Sequence, residues 1–337
     1  MTRRLAVVAE KVGVSEATVS RVLNGKPGVS EATREAVLTA LDVLGYERPT
    51  RLRGERARLV GLVVPELQNP IFPALAEAIE GALAQQGFNA VLCTGSSGLG
   101  SEAAYVDMLL QQQVSGVIFA GGQYTEGDAP HDHYQRLRQR KLPTVLVNAA
   151  VEGLGFPQVS CDDGVAVEQA FGHLRALGHR RIGLLLGPAD HVPSRRKLAS
   201  FVAANERTGQ AGNAELVDHA MFSLESGQAS MMRLLDRGVT GVICASDPLA
   251  LGAIRAVRRR GLDVPADVSV VGYDDSMLMT CVDPALTTAR QPIEAMGRAA
   301  VDLLVHQVEG STVRTAELLY EPELVVRSST APVTIST

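Results

Sequence analysis

The sequence predicts a small all-helical head followed by a two-lobed α/β body with parallel sheets. Three observations carry this expectation. Residues 1–45 contain three apolar stripes at helical spacing, each ended by a glycine. From Leu59 onward, short runs rich in Val, Ile and Leu alternate with longer amphipathic stretches, the rhythm of parallel strands and covering helices. That rhythm comes in two successive sets, and a chain of 337 residues is long enough to give each set its own core.

In the head, Leu5, Val8, Ala9 and Val12 fall on one helical face and Gly13 ends the run. Ser15 can cap a second helix that buries Val19, Val22 and Leu23. Asn24-Gly25-Lys26-Pro27-Gly28 is a second stop. Ser30 then caps a third helix whose stripe is Ala36, Val37, Ala40, Leu41 and Leu44, up to Gly45. The phrase GVSEAT, at 13–18 and again at 28–33, is one capping device used twice. The second helix exposes Ser15, Glu16, Ala17, Ser20 and Arg21, the layout of a helix-turn-helix DNA reader. A small protein-docking bundle is the alternative, but it would present apolar anchors where this face has hydroxyls and an arginine.

Charge divides at the same place. The chain carries 32 Lys and Arg against 37 Asp and Glu, net −5, yet residues 1–58 are about +4 and the remainder about −9. A basic head on an acidic body confines polyanion binding to the head. Residues 46–59, YERPTRLRGERARL, hold Pro, Gly and five Arg and read as a linker.

In the body, LVGLVVP, NAVLCTG, SGVIFAG and LPTVLVNA read as strands, separated by helical stretches such as FPALAEAIEGALAQQG and EAAYVDMLLQQQ. RIGLLLGP, TGVICAS and DVSVVGYDD repeat the pattern. Ligands of such sheets sit at the carboxyl ends of the strands, and two facing lobes make a cleft that closes by hinge motion.

Other chemistries find little support. Cys93, Cys161, Cys244 and Cys281 stand apart without metal-ligand or disulfide spacing, so neither a metal nor a cofactor is expected. His131-Asp132-His133 reads as a solvated loop between Gly- and Pro-containing flanks. Ser194 to Lys197 matches S-x-x-K without its companion motifs, and GSSGLG at 95–100 lacks the ending of a phosphate loop. The RRR at 258–260 ends a helix before Gly261, where positive charge suits the dipole. No signal-peptide hydrophobic region and no membrane-length apolar run is present, which predicts a cytoplasmic chain with no membrane partner.

The stretch VAEKVGVSEATVSRVLNGKPGVSEATREAVLTALDVLGY is similar to the DNA-binding head of the lac repressor (LacI/GalR) family. The resemblance continues through NPIFPALAEAIEGALAQQGF, VEQAFGHLRALGHRRIGLL, DPLALGAIRAVRRRGLDVPADVSVVGYDD, PALTTARQPIEAMGRAAVDLL and YEPELVVRSST, nearly the whole chain. It implies a DNA-binding head at 1–45, a hinge at 46–58, and an effector-binding and dimerisation body at 59–337 with a periplasmic-binding-protein-like fold. Lobe one would comprise about 59–160 and 290–319, and lobe two about 161–289 and 320–330.

By the same resemblance Glu16 and Ala17 occupy base-reading positions and Arg21 is the deeper base reader. Ser15, Thr18, Ser20, Asn24, Ser30, Thr33 and Arg34 fall where the family contacts or approaches the DNA backbone. The chemistry agrees: Arg forks onto guanine, Glu accepts from cytosine, and an Ala methyl meets that of thymine. Leu52 falls at the position of a minor-groove wedge in a hinge helix that forms on operator DNA. Two departures are visible: Arg4 and Val7 replace the usual Thr cap and Asp of the first helix, and the connector is shorter than the family pattern.

Asn69, Phe72, Ser96, Asn148, Lys197, Phe222, Ser246, Asp247, Asp274 and Gln291 fall on effector-pocket positions. Such a set suits a sugar or sugar derivative, because carboxylates and amides pair with hydroxyls and aromatic faces cover apolar ring edges. Lys197 stands where sugar binders of the family often use Arg, which leaves open an acidic, phosphorylated or merely different sugar, or a pocket remodelled for another metabolite. The implied function is a sequence-specific transcriptional regulator of repressor type, a homodimer on double-stranded operator DNA, controlled by a small-molecule effector. A cytoplasmic solute-binding receptor without a DNA function is the rival reading, against which the head argues. An enzyme would need an assembled nucleophile, base and stabiliser, and none is evident.

Overall fold

The structure, a computed structural model, describes residues 2–23, 26, 28–44, 58–95, 101–127, 129, 131–149, 153–209, 212 and 215–333. Asn24, Leu52, Ser96 and linker residues 46–57 lie outside the described residues. Two compact units are present, Met1–Arg58 and Leu59–Thr337.

The first unit contains helices α1 (Thr2–Val12), α2 (Glu16–Leu23) and α3 (Glu31–Val43). Gly13 takes a positive φ of 73°, and Val14 N–H reaches back to Ala9 C=O at 3.0 Å, which ends α1. Ser15 Oγ accepts from Thr18 N–H at 3.1 Å, and Ser30 Oγ accepts from Thr33 N–H at 3.2 Å. Each repeat of GVSEAT therefore starts a helix by the same bond. Val8, Ala9, Val19, Val22, Val37, Ala40 and Leu41 close the core. Ala36 is exposed, contrary to expectation. Successive helical positions turn by about 100°, which turns residues 37, 40 and 41 inward and leaves 36 at the edge.

The second unit holds two six-stranded sheets. Sheet one contains β1 (Arg58–Val64), β2 (Phe88–Thr94), β3 (Gly116–Phe119), β4 (Thr144–Val147), β5 (Gln158–Cys161) and β11 (Glu317–Tyr320), in the order β11-β5-β4-β3-β1-β2. Sheet two contains β6 (Ile182–Leu186), β7 (Val217–His219), β8 (Gly241–Cys244), β9 (Ser269–Asp274), β10 (Thr287–Arg290) and β12 (Glu323–Val325), in the order β12-β10-β9-β8-β6-β7. The central pairings are parallel, and β12 is an antiparallel edge strand with Thr288 opposite Val325.

Alternation along the strands explains why sheet one needs helices on both faces. Leu62, Val64, Ile118, Val145 and Val147 join one core with α4 (Ile71–Gln85) and α11 (Ile293–Val308). Their neighbours Val63, Val117, Phe119 and Leu146 join another with α5 (Glu102–Gln112) and α6 (Asp132–Gln139). Sheet two is covered by α7 (Asp163–Ala176), α8 (Val192–Arg207), α9 (Leu224–Asp236) and α10 (Asp247–Arg259). The chain passes between sheets three times: from β5 to α7, from β10 to α11 and from β11 to β12.

The expected solvated loop at 131–133 is instead the start of α6, with His133 only 3% exposed. The buried carboxylate of Glu102 draws it inward, accepting a hydrogen bond from His133 Nε2 at 2.7 Å. Among the described residues, no helix is long and apolar enough to cross a membrane.

Candidate functional site

On α2, Glu16 and Ala17 are exposed at the first turn and Arg21 is exposed one turn later, while Thr18 and Ser20 are half-buried. Ser15 and Ser30 are exposed at the caps, and Thr33 and Arg34 are half-buried on the first turn of α3. The two helix N-termini, their hydroxyls and Arg21 offer partial positive charge and donors, which suits phosphate as well as base edges.

In the body, a cavity of about 820 Å³ opens where strands of both sheets end. Gly121, Asn148 and Cys161 reach it from the carboxyl ends of β3, β4 and β5. Pro188, Ser246, Asp274 and Gln291 reach it from those of β6, β8, β9 and β10. Asn69 and Phe72 enter from the start of α4, Lys197 from α8 and Phe222 from just before α9. Eight of the ten expected effector residues therefore line one space. Ser96 lies outside the described residues, and Asp247 is the other exception.

Asp247 stands behind the wall. Its Oδ2 accepts from Ser276 N–H at 2.8 Å and Ser276 Oγ at 2.7 Å, and its Oδ1 accepts from Thr288 Oγ at 2.7 Å. A carboxylate so engaged ties the β9 end loop to β10 and has little left to offer a ligand. Burial pushes its pKa up to about 6 against the pull of those hydrogen bonds. Ser246 has a structural duty as well, capping α10 through Leu249 N–H at 3.4 Å.

Asp274 is the polar centre of the wall. Gln291 Nε2 donates to its Oδ1 at 2.7 Å, and Asn69 also hydrogen-bonds it. Burial, then the charge of Asp247, holds its pKa well above the usual carboxylate range, and Gln291, Lys197 and Asn69 oppose that shift. Asp274 and Asn148 both take positive φ, 116° and 78°. Such conformations are costly for residues other than glycine and here turn both side chains into the cavity.

Lys197 differs from expectation. Its ammonium pairs with Asp163, both side chains are 5% exposed, and it sits 3.9 Å above the Tyr273 ring. It is a paired cation in the wall of the cavity. Burial raises the Asp163 carboxyl, opposed by Lys197. Burial also pushes the Cys161 thiol up to about 12, leaving it a poor nucleophile.

Several lining residues had no clear signal in the sequence. Asp163 follows Asp162, the actual cap of α7, in a string that reads as capping only. Glu102 lies at an ordinary helix start, yet it gathers His133, Tyr134 and Gln123 N–H (3.0 Å) beneath the loop carrying Thr125 and Glu126. His191 is the N-cap residue of α8 and Ser194 lies in its first turn.

Comparison with known proteins agrees with this architecture. Residues 5–49 match the description "Bacterial regulatory proteins, lacI family", and residues 171–330 match a periplasmic binding protein-like domain. The chain is 51% identical over 335 residues to the HTH-type transcriptional regulator MalR of Streptomyces coelicolor, covering 98% of this chain and 97% of that protein. A complex of the transcriptional regulator CelR with cellobiose superposes with a TM-score of 0.73 at 36% identity, over 96% of this chain and 99% of that one. A lac repressor dimer bound to operator and the anti-inducer ONPF gives 0.70 at 31% identity, over 96% and 98%. With helix-turn-helix head, two-sheet body and full-length likeness in agreement, the chain belongs to the lacI family of bacterial regulatory proteins, DNA-binding transcriptional regulators.

Proposed function

We propose that this regulator is a cytoplasmic homodimeric repressor, released from or driven onto operator DNA by a neutral, hydroxyl-rich effector bound in the body cavity. The observation that carries the effector reading is the convergence of Asp274, Gln291, Asn148 and Asn69, flanked by the Phe72 and Phe222 rings. Acceptors and amides among aromatic faces recognise a sugar or sugar derivative. Among the described lining residues, Lys197 is engaged by Asp163 and burial holds the His191 pKa down to about 4, so no cation is free to meet a phosphate.

On DNA, Glu16, Ala17 and Arg21 read bases, while Ser15, Thr18, Ser20, Ser30, Thr33 and Arg34 hold the backbone; Asn24 and the Leu52 wedge complete the set. Two heads on a palindrome supply the specificity that one short helix lacks. The reading is of a binder and not an enzyme, because the S-x-x-K pair does not assemble: Lys197 is held by Asp163, and Ser194 Oγ has no partner among the described residues.

The test is a thermal-shift screen of neutral sugars, sugar phosphates and sugar acids. A ligand at a hundred times its Kd adds about 2.7 kcal/mol of stability. Stabilisation by a neutral sugar supports the reading; stabilisation by sugar phosphates alone overturns it.

A further inference from the structure

Helix α8 belongs to lobe two but is fastened to lobe one at two separate places. It packs Phe201 and Ala204 into the core under sheet two, so it moves with that lobe. At its start, Asp190 C=O accepts from Gly127 N–H at 3.2 Å, and His191 forms an isolated antiparallel bridge with Glu126. Glu126 and Gly127 belong to the loop that follows β3 of sheet one. About one and a half turns later, Arg196 grips Glu317 at the start of β11, the edge strand of sheet one. Both prongs of the guanidinium are used, Nη1 to Oε1 at 2.8 Å and Nη2 to Oε2 at 3.0 Å.

Each side of these contacts is braced. On lobe one, Glu102 accepts Gln123 N–H at 3.0 Å and Thr125 Oγ donates to Gly122 C=O at 2.6 Å, which fixes the loop, while β11 is held by its register with β5, Glu317 opposite Gln158. On lobe two, the Lys197 pair with Asp163 and the bond from Ser200 Oγ to Gly164 C=O, at 2.9 Å, hold α8 to α7. Hinge bending is taken up by the three crossing segments between the sheets, whereas the α8 contacts join surfaces that part when the lobes open.

We infer that the amino-terminal half of α8 is a clasp that holds the two lobes closed in the absence of an effector, with Arg196 and Glu317 as its charged half and the bond from Gly127 to Asp190 as its neutral half. The inference concerns the lobes alone and holds whatever ligand the cavity takes. A two-pronged guanidinium–carboxylate pair is stronger than a single hydrogen bond. Its side chains are 28% and 17% exposed, so water and salt screen it only in part. The backbone bond lies on an exposed loop and is modest by itself. Because one rigid helix carries both, closing either contact brings the other within reach. The cleft is then shut before an effector arrives, and α8 must let go to admit one.

The experiment is amide hydrogen exchange of the full chain without effector, read by mass spectrometry on fragments spanning 122–127, for the parent, Arg196→Glu, Glu317→Arg and the double charge swap. The Gly127 amide is expected to be protected in the parent. Each single variant should speed its exchange by about three- to tenfold, and the swap should return it to within about twofold of the parent. Raising salt from about 0.1 to about 1 M, which shortens the screening length to about 3 Å, should speed it in the parent as well. The amides of Val117 and Leu184, bonded within their own lobes to Pro143 C=O and Leu216 C=O, should keep their rates throughout. A Gly127 amide that exchanges freely in the parent, or at the parental rate in both single variants, overturns the clasp. So does a swap that stays as fast as the singles, or a rise at Val117 and Leu184 equal to that at Gly127, which would place the effect in lobe stability.

Discussion

Lys197 and Asp163 form an ion pair inside the cavity wall, each side chain 5% exposed, with the lysine also capped by the Tyr273 ring. A cation that the sequence offers to a ligand is thus consumed by the fold, and the pocket presents acceptors in its place.

Breaking that pair should be costly. Asp163→Ala strands a buried ammonium and is expected to destabilise the body by about 3–5 kcal/mol, whereas Asp163→Leu combined with Lys197→Met should recover much of the loss. Urea unfolding of both variants checks this, and equal losses in the two would show that the charges are not coupled.

The raised carboxylates give stability a definite pH dependence. Asp247 titrates at about 6 when folded against an ordinary 3.8, so between those values the folded state holds the extra proton. Stability from this group is fully present below the unfolded value and falls as pH rises through about 4 to 6. Asp274, raised by burial and by Asp247, acts in the same direction. Asp275 is lowered by the net effect of Arg327 and Arg290 and works the opposite way, only below its ordinary value. Asp247→Asn should flatten the decline above pH 4; chemical denaturation at pH 4.5, 5.5 and 6.5 measures it, and an unchanged slope rejects the assignment.

In the head, Arg21→Ala should cost about 1–3 kcal/mol on the preferred operator and flatten preference at one base pair per half-site. Arg34→Ala should weaken all sequences alike and reduce the salt dependence. Binding to a panel of single-base operator variants separates the two, and unchanged relative preferences in Arg21→Ala would remove its base-reading role.

The twin caps should be nearly equivalent. Ser15→Ala and Ser30→Ala each remove one hydrogen bond to a helix N–H, at 3.1 and 3.2 Å, and each should destabilise the three-helix unit by about 1 kcal/mol. Thermal unfolding followed by helical signal checks both; a silent Ser30→Ala would mean that this bond adds nothing to the stability of α3.

The two-sheet architecture was legible because the strands it needs are apolar on both faces: RLVGLVV and IGLLL can only be buried between layers. Strands such as Gln158–Cys161 and Val217–His219 were not, since QVSC and VDH are short and mixed, and neighbouring strands decide their pairing. At the cavity, residues at strand ends were foreseeable from family likeness. The pairing of Lys197 with Asp163 was not, because the partners are 34 positions apart and meet only through the packing of α7 on α8. Asp247 shows a related limit: a strand-end carboxylate looks the same in sequence whether it faces a ligand or ties two loops together, and here it bonds Ser276 and Thr288.

The central claim is that the Asp274 cavity and the operator-reading helices report on each other. The direct measurement is the midpoint at which an effector sugar shifts operator binding, read by fluorescence anisotropy on selected operator DNA, alongside calorimetry of the same sugar with the free protein. Asp274→Asn should lose about 1.5–3 kcal/mol of sugar binding and move the operator midpoint by the same free energy, with little change in operator affinity without sugar. A variant whose sugar affinity falls while the operator response keeps its parental midpoint would contradict the coupling, and so would a sugar that binds the cavity tightly without altering operator affinity.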